Sequence, residues 1–437
     1  MFIITFVPFY SMNKFFKKTI ILFPKLFASV ILFLISAKSY SQVQGCTDSL
    51  ASNYNSAATI NDGSCTYNAV SYTPVIKVDP IDNILVESSG LQMAGNFLWS
   101  FNDGGGAAAI YRIDTLTNTL LQTVTLSGAS NVDWEDIAFD GTYFYVGDFG
   151  NNANGARTDL KIYKFPFSAI PDYTVNTNAI IAAGQIETIN FIYSDQPQPP
   201  VPTGSNNTKY DCEAMIVDAG EIHLFTKNWI DLTTTHYAIN STQPGNYVLT
   251  PLETLPVNFL VTGADETPAK GAVALIGYQN SGFGNHYLEL LSDFYDGYYF
   301  NGNKRKISLP NAAIMGQSEG ITFRNETYGY ISNEKFYRDL GFIVIDVNQK
   351  LRSFDISNSI NASRIYTFTG IGNWDISSNW THNILPPTQP AAGSQIIIDP
   401  PVGQDCILNI PFILPAGAKL TVKSGKNFVI DGKLTVL

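Results

Sequence analysis

Four stretches of this chain can be laid over one another: SSGLQMAGNFLWSFNDGG from Ser88, WEDIAFDGTYFYVGDFGNN from Trp134, CEAMIVDAGEIHLFTKNW from Cys212 and SEGITFRNETYGYISNEKF from Ser318. Each opens on a short polar start, runs into an apolar strand, turns, and continues as an apolar or aromatic strand with a polar end. A fifth, TGADETPAKGAVALIGYQNSG from Thr262, fits less well, with Asp265 or Thr262 standing where others carry Glu. Further strand-like runs follow each hairpin, among them AIYRID with LQTVTL, LKIYKF with ETINFIY, and GFIVIDV with KLRSFDI. Four strands per repeat, recurring every 45 to 80 residues or so, predict an all-β chain folded as a β-propeller over residues 69-365. Five blades are visible and a sixth is allowed. The competing arrangement is a β-sandwich with long insertions, and no stretch sustains helical periodicity.

Composition agrees with a turn-rich all-β fold. There are 23 Tyr, 28 Phe and 34 Gly, and only 14% of residues are charged. Aromatic and β-branched residues fill pleated, half-buried surfaces. The net charge of -11 argues against nucleic acid and anionic membrane surfaces, both of which need clustered Lys and Arg. Cations are the more natural ligands.

The N-terminus reads as an export signal. NKFFKK, beginning at Asn13, is followed by an apolar run from Thr19 to Ile35 and then SAKSYSQ, the pattern of a secretory leader over residues 1-41. A membrane anchor is the alternative, although that run is at the lower limit for a span and leaves through small residues. No later segment is long and apolar enough to span a bilayer. The mature chain is therefore expected to be secreted or held at the cell surface, with extracellular partners: a glycan, a protein or a small polar molecule.

The four cysteines stand at 46, 65, 212 and 406, with no CxxC pair. In an exported chain, Cys46 and Cys65 would staple a short polar loop with almost no core of its own. Cys212 and Cys406 read as separate small hydrophobes. Within that N-terminal cassette, residues 42-68, Asp48, Asn53, Asn55, Asn61 and Asp62 put five oxygen-bearing side chains around a turn at Gly63. Such a set suits a hard cation, and Asx turns holding a spacer together are the alternative. GCTD...NYN...A...DGSC resembles short modules of secreted Bacteroidota proteins, a resemblance that implies calcium. The piece QPQPPVP from Gln196 reads as a surface loop. From residue 366 to 437, GNWDISSNWTHNILPP followed by IIIDP, CILNI, KLTVKSG, NFVIDG and KLTVL predicts a second module of very short strands. Its W...NW...P opening resembles the β-modules near sorting or surface-attachment segments of secreted Bacteroidota proteins.

Where chemistry could sit follows from strand direction. The first two strands of a blade are antiparallel, so the start of one and the end of the next share one end of the sheet. This register gathers Glu135, Glu213 and Glu319 from the starts. From the finishes it adds Asn102, Asp103, Asp148, Asn151, Asn152, Lys227, Asn228, Asn333 and Glu334. Converging carboxylates raise one another's pKa and call for a cation, with Lys227, Arg157 or a bound metal as candidates. Alternatively, those Glu side chains simply hydrogen-bond the next blade, and Trp134 and Trp229 are core residues.

EAMIVDAGEIHLFTK and EGITFRNETYGYISNEK resemble the blades of phytase-like propellers and, more weakly, calcium-dependent lactonase propellers, although the dense Asp, Lys and Arg clusters of those phosphohydrolases are thin here. NDGG...DWEDIA...GDFGNN is similar to a set of secreted Bacteroidota propellers, which implies architecture and address. GQSEG at Gly316 lacks the strand-turn-helix context of a nucleophile elbow. His223, His236, His286 and His382 have no metal-ligand spacing. The expectation is a propeller that binds an extracellular ligand with calcium at its acidic channel end. A metal-dependent hydrolase of phosphoesters or lactones and an adhesive scaffold are the alternatives.

Overall fold

In the computed structural model, the described residues are 43-58, 60-117, 119-360, 365-381, 385-386, 388-390, 394-416 and 418-437. The predicted leader and His382 lie outside them. The chain is all-β, and its centre is a β-propeller of five blades.

The inner strands are Ser88–Ala94, Trp134–Phe139, Cys212–Asp218, Leu260–Glu266 and Gln317–Phe323, belonging to blades 1 to 5 in that order. Each touches the inner strands on either side, and blade 5 returns to blade 1, so the ring is closed without a sixth blade. Each hairpins into a second strand: Phe97–Asn102, Tyr143–Asp148, Glu221–Thr226, Ala272–Tyr278 and Tyr328–Glu334. These strands form because apolar and aromatic residues run through them. In a propeller both faces of a blade meet a neighbour, so near-continuous apolar runs replace simple alternation. Five separate clusters of buried side chains fill the five gaps between successive blades. Trp99, Phe101, Trp134 and Phe144 lie between blades 1 and 2. Tyr145, Tyr193, Met215 and Tyr237 lie between 2 and 3. Three further clusters fill the remaining gaps, the last joining Leu85, Leu98 and Tyr111 to Tyr330 and Leu351.

Blades borrow strands from distant sequence. Val75–Val78 supplies the outer strand of blade 5 by pairing antiparallel with Lys350–Asp355, fastening the two ends of the propeller together. Val70–Ser71 adds to the outside of blade 4. Asn178–Ile181 leaves blade 2 to pair in parallel with Leu120–Leu126 of blade 1. Gly245–Leu249 likewise leaves blade 3 for Glu187–Tyr193 of blade 2.

The Cys46–Cys65 disulfide is formed, and Cys212 and Cys406 are free and buried. The stapled loop rests on blade 4: the Asn61 amide donates to Asn303 Oδ1 at 2.8 Å, and the Arg305 guanidinium stacks 5.1 Å from the Tyr67 ring. All five oxygen-bearing side chains of the cassette are engaged within it. Asp48 accepts from Leu50 N at 2.9 Å and Tyr67 OH at 2.7 Å, Asn53 from Thr66 N at 2.8 Å, Asn55 from Ala57 N at 3.0 Å, Asn61 from Gly63 N at 3.2 Å and Asp62 from Ser64 N at 3.0 Å. Four of these are Asx turns, in which a short side chain caps the amide two residues on. The acidic groupings able to hold a metal lie elsewhere among the described residues.

The C-terminal strands stack in parallel. Ile365–Phe368, Gln395–Ile398 and Lys419–Val422 form one sheet, and Gly372–Asn373, Asp405–Leu408 and Asn427–Ile430 another. Pro411–Leu414 pairs with Lys433–Val436. The chain thus coils as a short β-solenoid around Phe368, Trp374, Trp380 and Phe412. The Trp380 indole donates to Trp374 O at 2.7 Å.

Candidate functional site at the channel end

Every inner strand carries a β-bulge near its start. Register with the second strand is lost at Ser89–Gly90, Glu135, Glu213, Thr262 and Glu319–Gly320. A bulge inserts an unpaired residue and re-aims its side chain. The five bulges therefore bring one residue per blade to the same end of the channel, and Thr262, not Asp265, is the blade 4 member. Two members tie the ring together: Ser89 Oγ donates to Glu135 O at 2.9 Å, and Thr262 Oγ1 donates to Ser318 O at 2.8 Å. Close approach of the inner strands requires glycine beside the bulges. A Cβ on Gly320 would sit 2.3 Å from Ser89 O, and one on Gly263 the same distance from Glu319 O.

Glu135, Glu213 and Glu319 are all buried here. Two residues that the sequence reading passed over join them. Asp133 and Asp211 each stand two positions before a bulge Glu, just ahead of the strand, and their carboxylates reach the same end of the channel. Carboxylate oxygens of Asp103, Asp133 and Glu135 lie within 4.8 Å of one another, as do those of Glu135, Asp211 and Glu213. Glu135 is shared by both groups.

The two groups differ in their counter-charges. Lys227 Nζ lies 2.6 Å from Glu213 Oε2, between the Trp229 ring at 5.0 Å and the Tyr278 ring at 5.3 Å. Asp211 accepts from Trp229 Nε1 at 2.7 Å and Asn151 N at 2.6 Å. Glu319 accepts from the Gln317 amide at 2.8 Å. Glu135, only 5% exposed, accepts no side-chain hydrogen bond from any described residue. Burial first, and then Glu213, Asp103, Asp133 and Asp211, hold its carboxyl well above the usual range. Asp133 is pushed up to about 7 by burial and then by Asp103 and Asp211, with Arg157 opposing. Burial also raises Asp103 and Glu334.

Glycine makes room for this arrangement. A Cβ on Gly150 would stand 2.0 Å from Glu135 Oε1 and 2.5 Å from Asp133 Oδ2, and one on Gly104 2.7 Å from Asp133 Oδ1. The glycines of NDGG and GDFGNN therefore line a cradle of carboxylate oxygens. Asp103 and Asp133 are part-exposed, giving this group an opening to solvent.

Other expected members do different work. Asp148 is paired with Arg157 at 2.8 Å and Lys161 at 3.5 Å, and accepts from Asp133 N at 3.1 Å, so it positions Asp133. Asn151 bridges Tyr210 O at 3.2 Å and Arg157 N at 2.9 Å. Asn152 gives its backbone carbonyl to Asn206 N at 2.8 Å. Asn102 turns away to cap the segment at Ile84 and Glu87. Asn333 accepts from Arg352 and donates to Asn348 O at 2.9 Å, locking blade 5 internally. Asn228 caps its own turn through Thr233 at 2.9 Å and Ile230 N at 3.0 Å. Amides at strand ends find unsatisfied backbone groups there, which is the physical reason these three leave the site.

Among the described residues, no helix is long and apolar enough to cross a membrane. No family model and no curated protein matches the chain. Among solved structures, it is similar to the PQQ-bound aldose sugar dehydrogenase of Streptomyces coelicolor at 12% identity and TM-score 0.35, over 65% of this chain and 97% of that one. It is also similar to the Podospora anserina α-L-arabinofuranosidase in complex with cellotriose, at 9% identity and TM-score 0.35, over 65% and 95%. Likeness this slight says nothing of what this chain acts on.

Proposed function

We propose that the protein is an exported propeller of the Bacteroidota type that binds calcium between Asp103, Asp133 and Glu135 and uses the ion's remaining positions to hold a small polar extracellular ligand. The observation that carries this reading is Glu135, a carboxylate buried among acids with no hydrogen-bond donor among the described residues. An unpaired charge in that setting costs several kcal/mol unless a cation or a proton neutralises it. Hard cations favour such all-oxygen sets. The second group has less need of an ion, because Lys227 and Trp229 already compensate it. The part-exposed Asp103 and Asp133 give the ion its way in, and leave it a face for ligand oxygens.

Calorimetric calcium titration of the mature chain, with and without Glu135→Gln, tests the reading. Binding that the substitution abolishes supports it, and no binding to the unsubstituted chain overturns it. Assay of the calcium-loaded protein on phosphate esters and lactones then separates a binder from a metal-dependent hydrolase.

A further inference from the structure

The channel has a second mouth, where the hairpins between first and second strands turn, and there the structure has a cavity of about 500 Å³ to which all five blades contribute. Asp136 separates it from the acidic end. That side chain crosses the channel from blade 2 and accepts from Met215 N at 2.8 Å in blade 3 and Ala264 N at 3.3 Å in blade 4. The volume suits a small organic molecule. Its walls are as polar as they are apolar, with Met93, Phe139, Ile216 and Phe323 forming the apolar part.

Among the polar lining groups, Glu266 is the exceptional one. Its side chain is 2% exposed, Oε2 takes the Lys270 ammonium at 2.7 Å, and Oε1 is buried without a hydrogen-bond partner. Lys270 is divided, since it also lies 3.8 Å from Asp218 and donates to Val217 O at 3.1 Å. The other buried acid of the lining, Asp265, is satisfied by Thr322 Oγ1 at 2.9 Å and Phe323 N at 2.6 Å. Acids outnumber bases around this mouth. A carboxylate oxygen buried without a partner in a residue of the cavity wall asks for a donor, and a charged donor answers it best.

We infer that this cavity is a binding site for a small organic ammonium, a primary amine on a compact apolar body, whose N–H donates to Glu266 Oε1 while the body lies against Met93, Phe139, Ile216 and Phe323. Lys270 keeps Glu266 in place from the solvent side. The site needs no metal and is independent of the acidic end.

Benzylamine and benzyl alcohol are the probes, alike in shape and different in charge. In calorimetric titration of the full chain, benzylamine should bind at least about tenfold more tightly than the alcohol, the difference a charge-assisted hydrogen bond supplies. Glu266→Gln should weaken benzylamine by about tenfold or more. Pro268→Trp, at an exposed position on the cavity rim, should exclude both probes. Thermal melts of both variants check that they fold. Equal affinity for the two probes, benzylamine binding unchanged by Glu266→Gln, or no benzylamine binding to the unsubstituted chain would each overturn the inference.

Discussion

Lys227 and Glu213 form a buried ion pair, 2.6 Å between Nζ and Oε2, at the point where five blades converge. That pair belongs to blade 3 alone. It leaves Glu135, at the equivalent bulge of blade 2, without any comparable partner among the described residues. The ring of bulge residues is therefore chemically lopsided, and the unequal distribution of counter-charge leaves uncompensated carboxylates that could hold a metal ion on the blade 2 side.

Glu135→Gln should have opposite effects with and without calcium. In chelator it removes a buried carboxyl that must either stay charged among acids or take up a proton on folding, so the thermal transition should rise, by the equivalent of about 1–3 kcal/mol. At calcium a hundredfold above its dissociation constant, the unsubstituted chain should gain about 2.7 kcal/mol and the variant nothing. Differential scanning calorimetry in the two buffers reads both signs.

Gly150→Ala should eliminate calcium binding while leaving every carboxylate in the chain. The added methyl would occupy the space of Glu135 Oε1 and Asp133 Oδ2 and drive them apart. A variant that still binds calcium with unchanged affinity would place the ion elsewhere.

Lys227→Met strands Glu213 as an uncompensated buried charge and should cost about 3–5 kcal/mol. Adding Glu213→Gln should recover most of that loss. Urea unfolding of the single and double variants gives the coupling directly.

Glu289, in the third strand of blade 4, provides a pH test away from both sites. Burial pushes its carboxyl up to about 7 from 4.5, although Lys306 and Lys304 oppose the shift. Because the folded value lies above the unfolded one, its contribution to stability is complete below 4.5 and is lost as pH rises through about 7. Glu289→Gln should match the unsubstituted chain at pH 4.5 and be more stable at pH 8, by about 1–3 kcal/mol. Parallel unfolding curves at the two pH values check the sign.

The propeller was legible because its hairpins are local: GNFLW and DGTYF turn back within a few residues, and their strands are written in consecutive apolar runs. Borrowed strands were not legible, since Asn178–Ile181 and Gly245–Leu249 choose partners in another blade, and no short-range pattern encodes that choice. The parallel coil at the C-terminus was hidden for the same reason. Within the site, the repeated Glu was visible, whereas Asp133 and Asp211 stood two residues upstream, before the strands begin and across a bulge, where alternation gives no rule and only the fold brings their carboxylates to the Glu. The asparagines misled because an amide at a strand end serves backbone and ligand equally well, and only three-dimensional neighbours decide between them.

The strand Val75–Val78 completes blade 5 against Lys350–Asp355, and that clasp also sets a timetable. During synthesis at about 5–20 residues per second, the early strand must wait tens of seconds for a partner that has not yet been made. Blades 2 and 3 have all their strands long before then, but the ring cannot shut. Until it does, the edges of blades 1 and 5 are open to any other strand in reach, so the vulnerable period for this chain is set by the distance between two short segments rather than by the strength of either.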